Sequence, residues 1–496
     1  MQISLFFPAV AAALVLLASG AMAAETRPGL QPCRLKGVEH DALCGVLSRP
    51  LNPAEPGGKR VDIHYAVLPA LARNRKPDPV FFFAGGPGQS AMDVGGNVSR
   101  TLARLGYRRD VVLIDQRGTG LSAPLVCDEP PAAAPLADAV ETDRQVALLQ
   151  ACMAKLRALP HADLRQFTTT IAMQDADAVR QALGAEQINI VGGSYGTRAV
   201  LEYQRQFPKT VRRAVIDGVA PPDMVLPLAM STDNQSALDA LLAACKADPA
   251  CALRHPRLAE DWRVLLARLP LQTRVQHPLT GVAEPVTLTR SFVLALVRGP
   301  LYVPSLTAAL PLAVSEAAQG RFEALVGLSA VMGSRGAGRI AGGMHFSVVC
   351  AEDLPRMAQA KDVPGRDFGS AASELYERVC AQWPRGDVPA AFYTVPAASA
   401  ATLVLSGGAD PVTPPRHGER VTRLLGAKAR HVVVPQAGHG VMSLPCMRDV
   451  LFRFIDAATD DDALRVEAGC AAGIPRPALF VPPGMAASGA ASGAAR

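Results

Sequence analysis

The chain has 496 residues, of which 49% are hydrophobic and 19% are charged. This length and composition allow a large buried core and suggest two or three domain-sized pieces. The net charge of +6 is mild for this size, and no basic stripe with interleaved aromatic residues occurs, so we expect no nucleic-acid partner. The sequence contains no H-E-x-x-H or C-x-x-C pattern, so we predict no metal and no cofactor.

The first 23 residues predict a secretory signal peptide. The stretch from Met1 to Ala24 has no charged side chain and contains an A-x-A-like site, which predicts cleavage after Ala23. Because this stretch also lacks an early Lys or Arg, an uncleaved membrane anchor remains the alternative. We expect an exported protein, periplasmic or secreted, without a stable membrane anchor.

Strand-like and helical segments alternate from about residue 60 to 220. Predicted strands cover residues 61–67, 80–83, 111–114, 187–191, 211–216, 402–406 and 431–434. This alternation predicts an α/β fold whose mainly parallel sheet has crossover helices. The stretch 223–398 is Ala/Leu-rich and broken by prolines, which predicts an inserted helical cap.

The predicted cap divides the core into two parts. The first part covers residues 24–222, and the second covers residues 399–472. The tail 473–496 is rich in small residues and low in complexity, and we expect it to be disordered.

A glycine-rich loop, Ala84-Gly85-Gly86-Pro87-Gly88, follows the predicted strand 80–83. Residues without side chains let backbone N–H groups approach a carbonyl oxygen that becomes negative in a transition state. We therefore predict that Gly85 or Gly86 supplies one donor of an oxyanion hole. A phosphate-binding loop is the alternative, but no lysine follows and no G-x-G-x-x-G pattern is present here.

The motif Gly192-Gly193-Ser194-Tyr195-Gly196 stands between the strand 187–191 and a predicted helix. A G-x-S-x-G in this context predicts a nucleophile elbow, a sharp turn that exposes a serine hydroxyl above the sheet. The N–H of Tyr195, directly after the serine, would be the second oxyanion donor. The alternative is a glycine-rich turn with a structural serine.

A serine nucleophile requires a histidine base and an acid, in the chain order Ser, Asp or Glu, His. Asp410 follows the strand 402–406, and His439 follows the strand 431–434. Both would lie past the carboxyl ends of neighbouring strands, where open α/β sheets bind their ligands. Asp217 also follows a strand and is the alternative acid, but Asp410 precedes the histidine by one helix–strand unit.

Ten cysteines accompany the predicted signal peptide. An even number in an exported chain favours disulfides over free thiols, although spacing alone leaves the connectivity open. Pairing of chain neighbours is our prediction: Cys33–Cys44, Cys127–Cys152, Cys245–Cys251, Cys350–Cys380 and Cys446–Cys470.

A set of motifs carries a resemblance to a known family. The set comprises Gly85-Gly86-Pro87-Gly88, Asp115-Gln116-Arg117-Gly118-Thr119-Gly120-Leu121-Ser122, Gly192-Gly193-Ser194-Tyr195-Gly196 and Val215-Ile216-Asp217-Gly218-Val219. It resembles the prolyl and tripeptidyl aminopeptidase branch of the α/β hydrolases. The segment Cys350-Ala351-Glu352-Asp353 and the Asp410/His439 block resemble the secreted tripeptidyl aminopeptidases. The resemblance spans roughly residues 35–225 and 345–470, and it departs at Ala84, where prolyl aminopeptidases usually have histidine.

The resemblance implies an α/β-hydrolase fold and a serine exopeptidase whose cap admits the free N-terminus of a peptide. Such a site needs a negative charge for the α-ammonium group, and Glu352 and Asp353 are the candidates by position and by resemblance. The alternative for this pair is a helix N-terminus stabilised by the helix dipole. An esterase using the same triad and a non-catalytic binding protein are the other functional hypotheses.

Overall fold

The computed structural model of the protein describes residues 29–334 and 339–480. The predicted signal peptide, residues 1–23, lies outside these residues, as does most of the predicted tail, residues 473–496. No helix of the described part is both long enough and apolar enough to cross a membrane.

Within the described residues, nine strands form one sheet and two more form a separate hairpin. The strands are β1 (Leu30–Cys33), β2 (Ala42–Pro50), β3 (Arg60–Leu68), β4 (Val80–Phe83), β5 (Val111–Ile114), β6 (Ile188–Gly193), β7 (Val211–Asp217), β8 (Leu271–Gln276), β9 (Ala283–Leu288), β10 (Ala401–Gly407) and β11 (Ala429–Val434). The order in the large sheet is β1-β2-β3-β5-β4-β6-β7-β10-β11, and β8 pairs with β9.

The seven predicted strands are present, with ends within two residues of those expected. The strands β5, β4, β6, β7, β10 and β11 pair in parallel, whereas β1, β2 and β3 are antiparallel. The sequence analysis did not predict β1 and β2. Each contains a proline, and residues that pack poorly in strands weaken the alternating pattern on which strand prediction depends.

In the part of the chain that the structure describes, eighteen α-helices connect the strands or form the insertion. They are α1 (Gly95–Thr101), α2 (Ala103–Gly106), α3 (Leu136–Val140), α4 (Thr142–Arg157), α5 (Thr169–Ala182), α6 (Tyr195–Gln206), α7 (Leu226–Ala247), α8 (Pro249–Arg254), α9 (Leu258–Ala267), α10 (Arg290–Leu301), α11 (Pro304–Thr307), α12 (Leu310–Ala318), α13 (Glu323–Ser334), α14 (Gly342–Glu352), α15 (Ala371–Cys380), α16 (Pro415–Leu425), α17 (Pro445–Asp456) and α18 (Asp460–Leu464).

The sheet is buried on both faces. Along β4 and β5, successive side chains enter different hydrophobic clusters: Phe81 and Val112 belong to one, Val80 and Val111 to the other. Side chains alternate between the faces of a sheet, so each face has its own apolar layer. Residues of α5 and α6 belong to the first cluster, and residues of α1 and α17 belong to the second. This arrangement holds the carboxyl ends of the parallel strands at one edge.

The predicted insertion, residues 223–398, consists of two parts that pack differently. Its first part has a hydrophobic cluster of its own, which includes Trp262, Phe292 and Phe322. Side chains of α14 and α15, such as Val349 and Val379, instead join the cluster of the sheet. The insertion is mainly helical, and it also contains an antiparallel hairpin of β8 and β9 that the sequence analysis did not predict. Exposed and less exposed residues alternate along β8, which is the pattern of a half-buried strand.

The structure joins all ten cysteines in the five predicted pairs. One bond, Cys33–Cys44, links β1 to β2 at the edge of the sheet. Another, Cys350–Cys380, links α14 to α15 and lies within the main core. The disulfides therefore reinforce both the sheet edge and the part of the insertion that packs on the sheet.

We expect protein that is denatured without reduction to contain no free thiol. Titration with a thiol reagent should find none before reduction and ten after it, since the structure leaves no cysteine unpaired. Mass spectrometry of a non-reduced digest should recover the five linked peptide pairs. Several free thiols would contradict the arrangement, and so would a linked pair of peptides whose cysteines belong to two different bonds of the structure.

Candidate active site

The turn between β6 and α6 places Ser194 in an unusual backbone conformation. Its φ is 55° and its ψ is −125°, in a region that side-chain-bearing residues rarely adopt. A Cβ atom on Gly192 would lie 2.3 Å from the Gly196 carbonyl oxygen, and one on Gly196 would lie 2.1 Å from that of Phe83. Neither site has room for a side chain, so the two glycines permit the sharp turn. The predicted nucleophile elbow is present, and Ser194 lines a cavity.

His439 and Asp410 form a hydrogen-bonded pair beside this cavity. The distance between His439 Nδ1 and Asp410 Oδ2 is 2.8 Å, and Asp410 is only 2% exposed. The backbone N–H groups of Val412 and Thr413 donate to Asp410 Oδ1, each at 2.9 Å. The Thr413 hydroxyl donates to Asp410 Oδ2 at 2.8 Å. Because the residues directly after Asp410 donate these hydrogen bonds, its carboxylate is held rigidly toward the imidazole.

Pairing shifts both pKa values in the direction that favours the charged forms of Asp410 and His439. Burial works to raise the pKa of Asp410, but the charge and hydrogen bond of His439 hold it below its usual value. Burial works to lower the pKa of His439, but Asp410 outweighs it, so that the pKa of His439 is raised. Because Nδ1 bonds to the carboxylate, Nε2 is the ring nitrogen left to accept a proton.

Asp217, the alternative acid, has a different set of contacts. Its Oδ2 accepts hydrogen bonds from the N–H groups of Val441 and Met442, both at 2.7 Å. Its backbone oxygen accepts the N–H of Ser194 at 2.9 Å. Burial raises the pKa of Asp217 to about 6. Asp217 therefore connects the elbow to the loop that follows His439, while Asp410 makes the direct contact with the imidazole.

The candidate oxyanion donors lie around Ser194. Gly85, Gly86 and Tyr195 line the same cavity as the serine. The Gly85 N–H donates to the side-chain oxygen of Gln89 at 3.2 Å, whereas the Gly86 N–H has no hydrogen-bond partner within the described residues. Tyr195 is the first residue of α6, where helix N–H groups have no partner within the helix. The N–H groups of Gly86 and Tyr195 are thus the two donors left for an oxyanion.

The cavity has a volume of about 970 Å³, and the insertion supplies part of its wall. The ring of Tyr302, at the C-terminus of α10, meets the His439 imidazole edge-on with the ring centres 5.2 Å apart. The backbone N–H of His439 also donates to the Tyr302 carbonyl oxygen at 3.1 Å. On another side, His345 Nε2 lies 2.6 Å from the Tyr376 hydroxyl. The sequence analysis identified none of these wall residues, because no local motif marks them.

A buried ionic cluster contains both predicted ammonium-binding residues. Arg198 donates to Asp353 through both terminal nitrogens, at 3.0 and 3.1 Å, and to Glu352 at 3.3 Å. Asp353 also accepts the N–H of Leu226 at 2.9 Å. Glu352 accepts the N–H of Thr169 at 2.7 Å and its hydroxyl at 3.0 Å. Asp353 and Arg198 line the cavity, whereas Glu352 lies behind them.

The cluster holds two carboxylates against one guanidinium group. Burial raises the pKa of Glu352 to about 7, and Arg198 opposes this rise. When both acids are ionised, the cluster carries one uncompensated negative charge at the cavity wall. The sequence analysis missed Arg198. Its position one helical turn after Ser194 is a signal that would have placed it near the site.

Comparisons with known proteins agree with this geometry. Residues 78–443 match the family model of the alpha/beta hydrolase fold. The serine protease Hip1 of Mycobacterium tuberculosis is 26% identical over 428 residues, which cover 78% of this chain and 80% of that protein. The tripeptidyl aminopeptidase of Streptomyces lividans is 32% identical over 195 residues, 36% of this chain and 35% of that protein. The proline iminopeptidase of Xylella fastidiosa is 26% identical over 169 residues, 34% of this chain and 41% of that protein.

The family model covers most of the chain, including β4, the elbow, Asp410 and His439. A serine on a strained elbow and a histidine paired with a buried aspartate are the parts that this family uses for hydrolysis. The chain therefore belongs to the α/β-hydrolase family and is a serine hydrolase.

Proposed function

We propose that the protein is an exported serine exopeptidase that cleaves peptides near a free N-terminus, in the manner of a tripeptidyl or prolyl aminopeptidase. The observation that supports this most directly is that Ser194, His439 and the buried carboxylate Asp353 line one cavity. Ser194 and His439 can act on an acyl carbonyl, and Asp353 can bind a cation. The names of the relatives, which include serine protease and tripeptidyl aminopeptidase, agree with this assignment.

The chemistry begins with proton transfer from Ser194 to His439 Nε2. The serine oxygen attacks the substrate carbonyl while Asp410, bound to Nδ1 at 2.8 Å, stabilises the imidazolium that forms. The N–H groups of Gly86 and Tyr195 stabilise the oxyanion, and one such donor is worth roughly 3–4 kcal/mol of transition-state stabilisation. His439 then protonates the leaving amine, and the reverse sequence with water releases the acyl group from Ser194.

The charge of the Arg198 cluster supports a free-amine substrate. A carboxylate has about four acceptor positions, and Asp353 uses three of them, two for Arg198 and one for Leu226. One position of Asp353 therefore remains for a substrate N–H at the cavity wall. An α-ammonium group would supply both this donor and the positive charge that the two carboxylates lack. Of the two predicted residues, Asp353 is the one that meets the substrate, and Glu352 supports Arg198 from behind.

Export is part of the same proposal. Five disulfides use every cysteine of the chain, and disulfides persist in the periplasm or outside the cell. The predicted signal peptide would take the chain there. Peptides with free N-termini in that compartment would be its substrates.

The first prediction concerns the acid of the triad. Ser194→Ala should abolish turnover and leave the melting temperature nearly unchanged. Asp410→Asn should lower kcat by about 10⁴-fold, because the amide favours the wrong imidazole tautomer. Asp217→Asn should have a much smaller effect, since an amide oxygen can still accept the N–H groups of Val441 and Met442. A severe loss in Asp217→Asn with a mild one in Asp410→Asn would reverse the assignment.

The second prediction concerns pH. His439 must be neutral to accept the serine proton, so kcat/KM should fall as pH drops through its pKa, which Asp410 raises above the ordinary value of about 6.5. A free-amine peptide should also lose reactivity on the alkaline side, as its α-amino group loses its proton near ~7.7–8.0. An N-acetylated ester should show the acid limb only. A flat alkaline side with free-amine peptides would argue against an anchored ammonium group.

The third prediction tests the anchor and separates a peptidase from an esterase. We would compare free-amine peptide amides, their N-acetylated forms and simple acyl esters. The wild-type enzyme should strongly prefer the free amines. Asp353→Asn should lower kcat/KM for the free amines by about 10- to 100-fold, chiefly through KM, because the contact exists in both ground and transition states.

Glu352→Gln is the matched control, because Glu352 touches Arg198 but does not line the cavity. It should lower the melting temperature and reduce the ratio of free to acetylated turnover less than Asp353→Asn does, because it removes the net negative charge of the cluster but leaves the Asp353 acceptor in place. A folded Asp353→Asn protein with an unchanged ratio would refute the anchor. Indifference of the wild type to acetylation, with fast ester cleavage, would identify an esterase instead.

A further inference from the structure

Among the charged residues that line the catalytic cavity, Arg298 has no ion-pair partner within the described residues. Arg298, near the C-terminus of α10, lines the cavity and is only partly exposed. It makes no hydrogen bond and no ion pair with any residue that the structure describes. Arg198, the other arginine of this wall, bonds to two carboxylates. A half-buried guanidinium group without an anion is costly, so a ligand that supplies the anion would be favoured.

The positive charge of Arg298 affects the pKa of two tyrosines in the cavity wall, Tyr302 and Tyr376. Burial raises the pKa of Tyr302, and the positive charge of Arg298 opposes that rise. Burial also raises the pKa of Tyr376 to about 12, again opposed by Arg298. Both tyrosines line the cavity, and the Tyr302 ring contacts His439. Arg298 and Tyr302 therefore line the same cavity one helical turn apart, at the C-terminal end of α10.

Arg298 also lines a second, smaller pocket beside the catalytic cavity. This side pocket has a volume of about 240 Å³ and lies between α7, α10 and α15. It shares Ala139, Gln145, Met230, Arg298 and Tyr376 with the catalytic cavity. Apolar residues, among them Phe292 and Phe368, line its interior. A substrate group can thus extend from the catalytic cavity past Arg298 into a pocket of side-chain size.

We propose that Arg298 is a specificity residue that binds a carboxylate of the substrate. This inference rests on the proposed peptidase function and names its substrate class. The cavity presents an anion with an open acceptor position at Asp353 and a cation without a partner at Arg298. A peptide that carries both an α-ammonium group and a carboxylate is complementary to this pair of charges. The carboxylate comes from an acidic side chain or from the C-terminus of a short peptide.

The guanidinium geometry suits this role. Arginine offers parallel N–H donors that bind a carboxylate with two hydrogen bonds, and such charge-assisted bonds are stronger than neutral ones. The partial burial of Arg298 limits competition from water. Loss of a hydrogen bond to a charged group typically costs enough binding energy to change kcat/KM by about 10- to 100-fold.

The test uses pairs of substrates that differ only in the carboxylate. In one arm, all substrates are peptides with a free N-terminal amine and an amidated C-terminus. Peptides that carry Glu are compared with peptides that carry Gln at each position near the scissile bond. The other arm compares neutral short peptides with a free or an amidated C-terminus. The wild type should prefer the carboxylate in one of the arms by about 10- to 100-fold in kcat/KM, and the arm that responds identifies the source of the carboxylate.

Variants assign the preference to Arg298. Arg298→Gln should abolish it, and Arg298→Glu should turn it into a preference for Lys over Gln at the same position. Arg263→Gln is the matched control, because Arg263 is an exposed arginine of α9 outside both cavities. It should keep the wild-type preference. Melting temperatures of all variants would show whether they fold.

Two outcomes would overturn the inference: a wild type indifferent to the carboxylate in both arms, or a folded Arg298→Gln variant that retains the preference. If no free-amine peptide is cleaved, the proposed peptidase function fails separately. The p-nitrophenyl esters of N-acetyl-Glu and N-acetyl-Gln then decide the role of Arg298, by the same comparison of wild type and variants. Equal turnover of the two esters by the wild type would refute it.

Discussion

The close approach of three backbone segments at the elbow is the constraint on which the site depends. Gly196 lies so near the Phe83 carbonyl that no side chain can stand there, and Gly192 lies equally near Gly196. This approach forces Ser194 into its positive-φ conformation and brings the Gly85–Gly86 loop next to the serine. Strain of this kind persists only where the surrounding structure holds it. Here the buried sheet, packed on both faces, provides that support.

Buried charge is the second organising feature, and the two aspartates near His439 have different sets of partners. Asp410 is balanced by His439 and by the N–H groups of its own turn. Asp217 uses similar N–H groups, but to join the elbow to the loop after His439. Although both aspartates follow neighbouring strands, their different partners produce opposite shifts in pKa, lowered for Asp410 and raised for Asp217. The same residue type at the same sheet edge thus serves two purposes.

The insertion supplies charged and aromatic side chains to the cavity that Ser194 lines. Its first part supplies Tyr302 and Arg298 to the cavity, and its second part supplies Asp353, His345 and Tyr376. The first part has a hydrophobic core of its own, whereas the second packs on the sheet beside α6. The side chains that the insertion contributes to the cavity therefore come from a part with its own hydrophobic core and from a part that packs on the sheet. We infer that selection depends on the charges of Asp353 and Arg298, which line one cavity.

Elements with local sequence signals could be predicted before the structure was known. The elbow, the glycine loop, and the loops that carry Asp410 and His439 each combine a short motif with a strand of β-branched residues, and their positions follow from chain order. The neighbouring-cysteine pairs also agree with the structure, because each closes a short loop. Strands β1, β2, β8 and β9 were not predicted, because their apolar residues are interrupted by proline, glycine and polar residues.

Contacts between residues far apart in the chain could not be predicted in this way. The Arg198 cluster joins residues more than 150 positions apart, and no pattern near Glu352 or Asp353 indicates that an arginine already binds them. The choice of Asp353 over Glu352 at the cavity, and the position of Arg298 without an anion, are equally invisible in the sequence. Such contacts depend on how the insertion folds back onto the sheet. Long-range packing sets that geometry, and no local propensity encodes it.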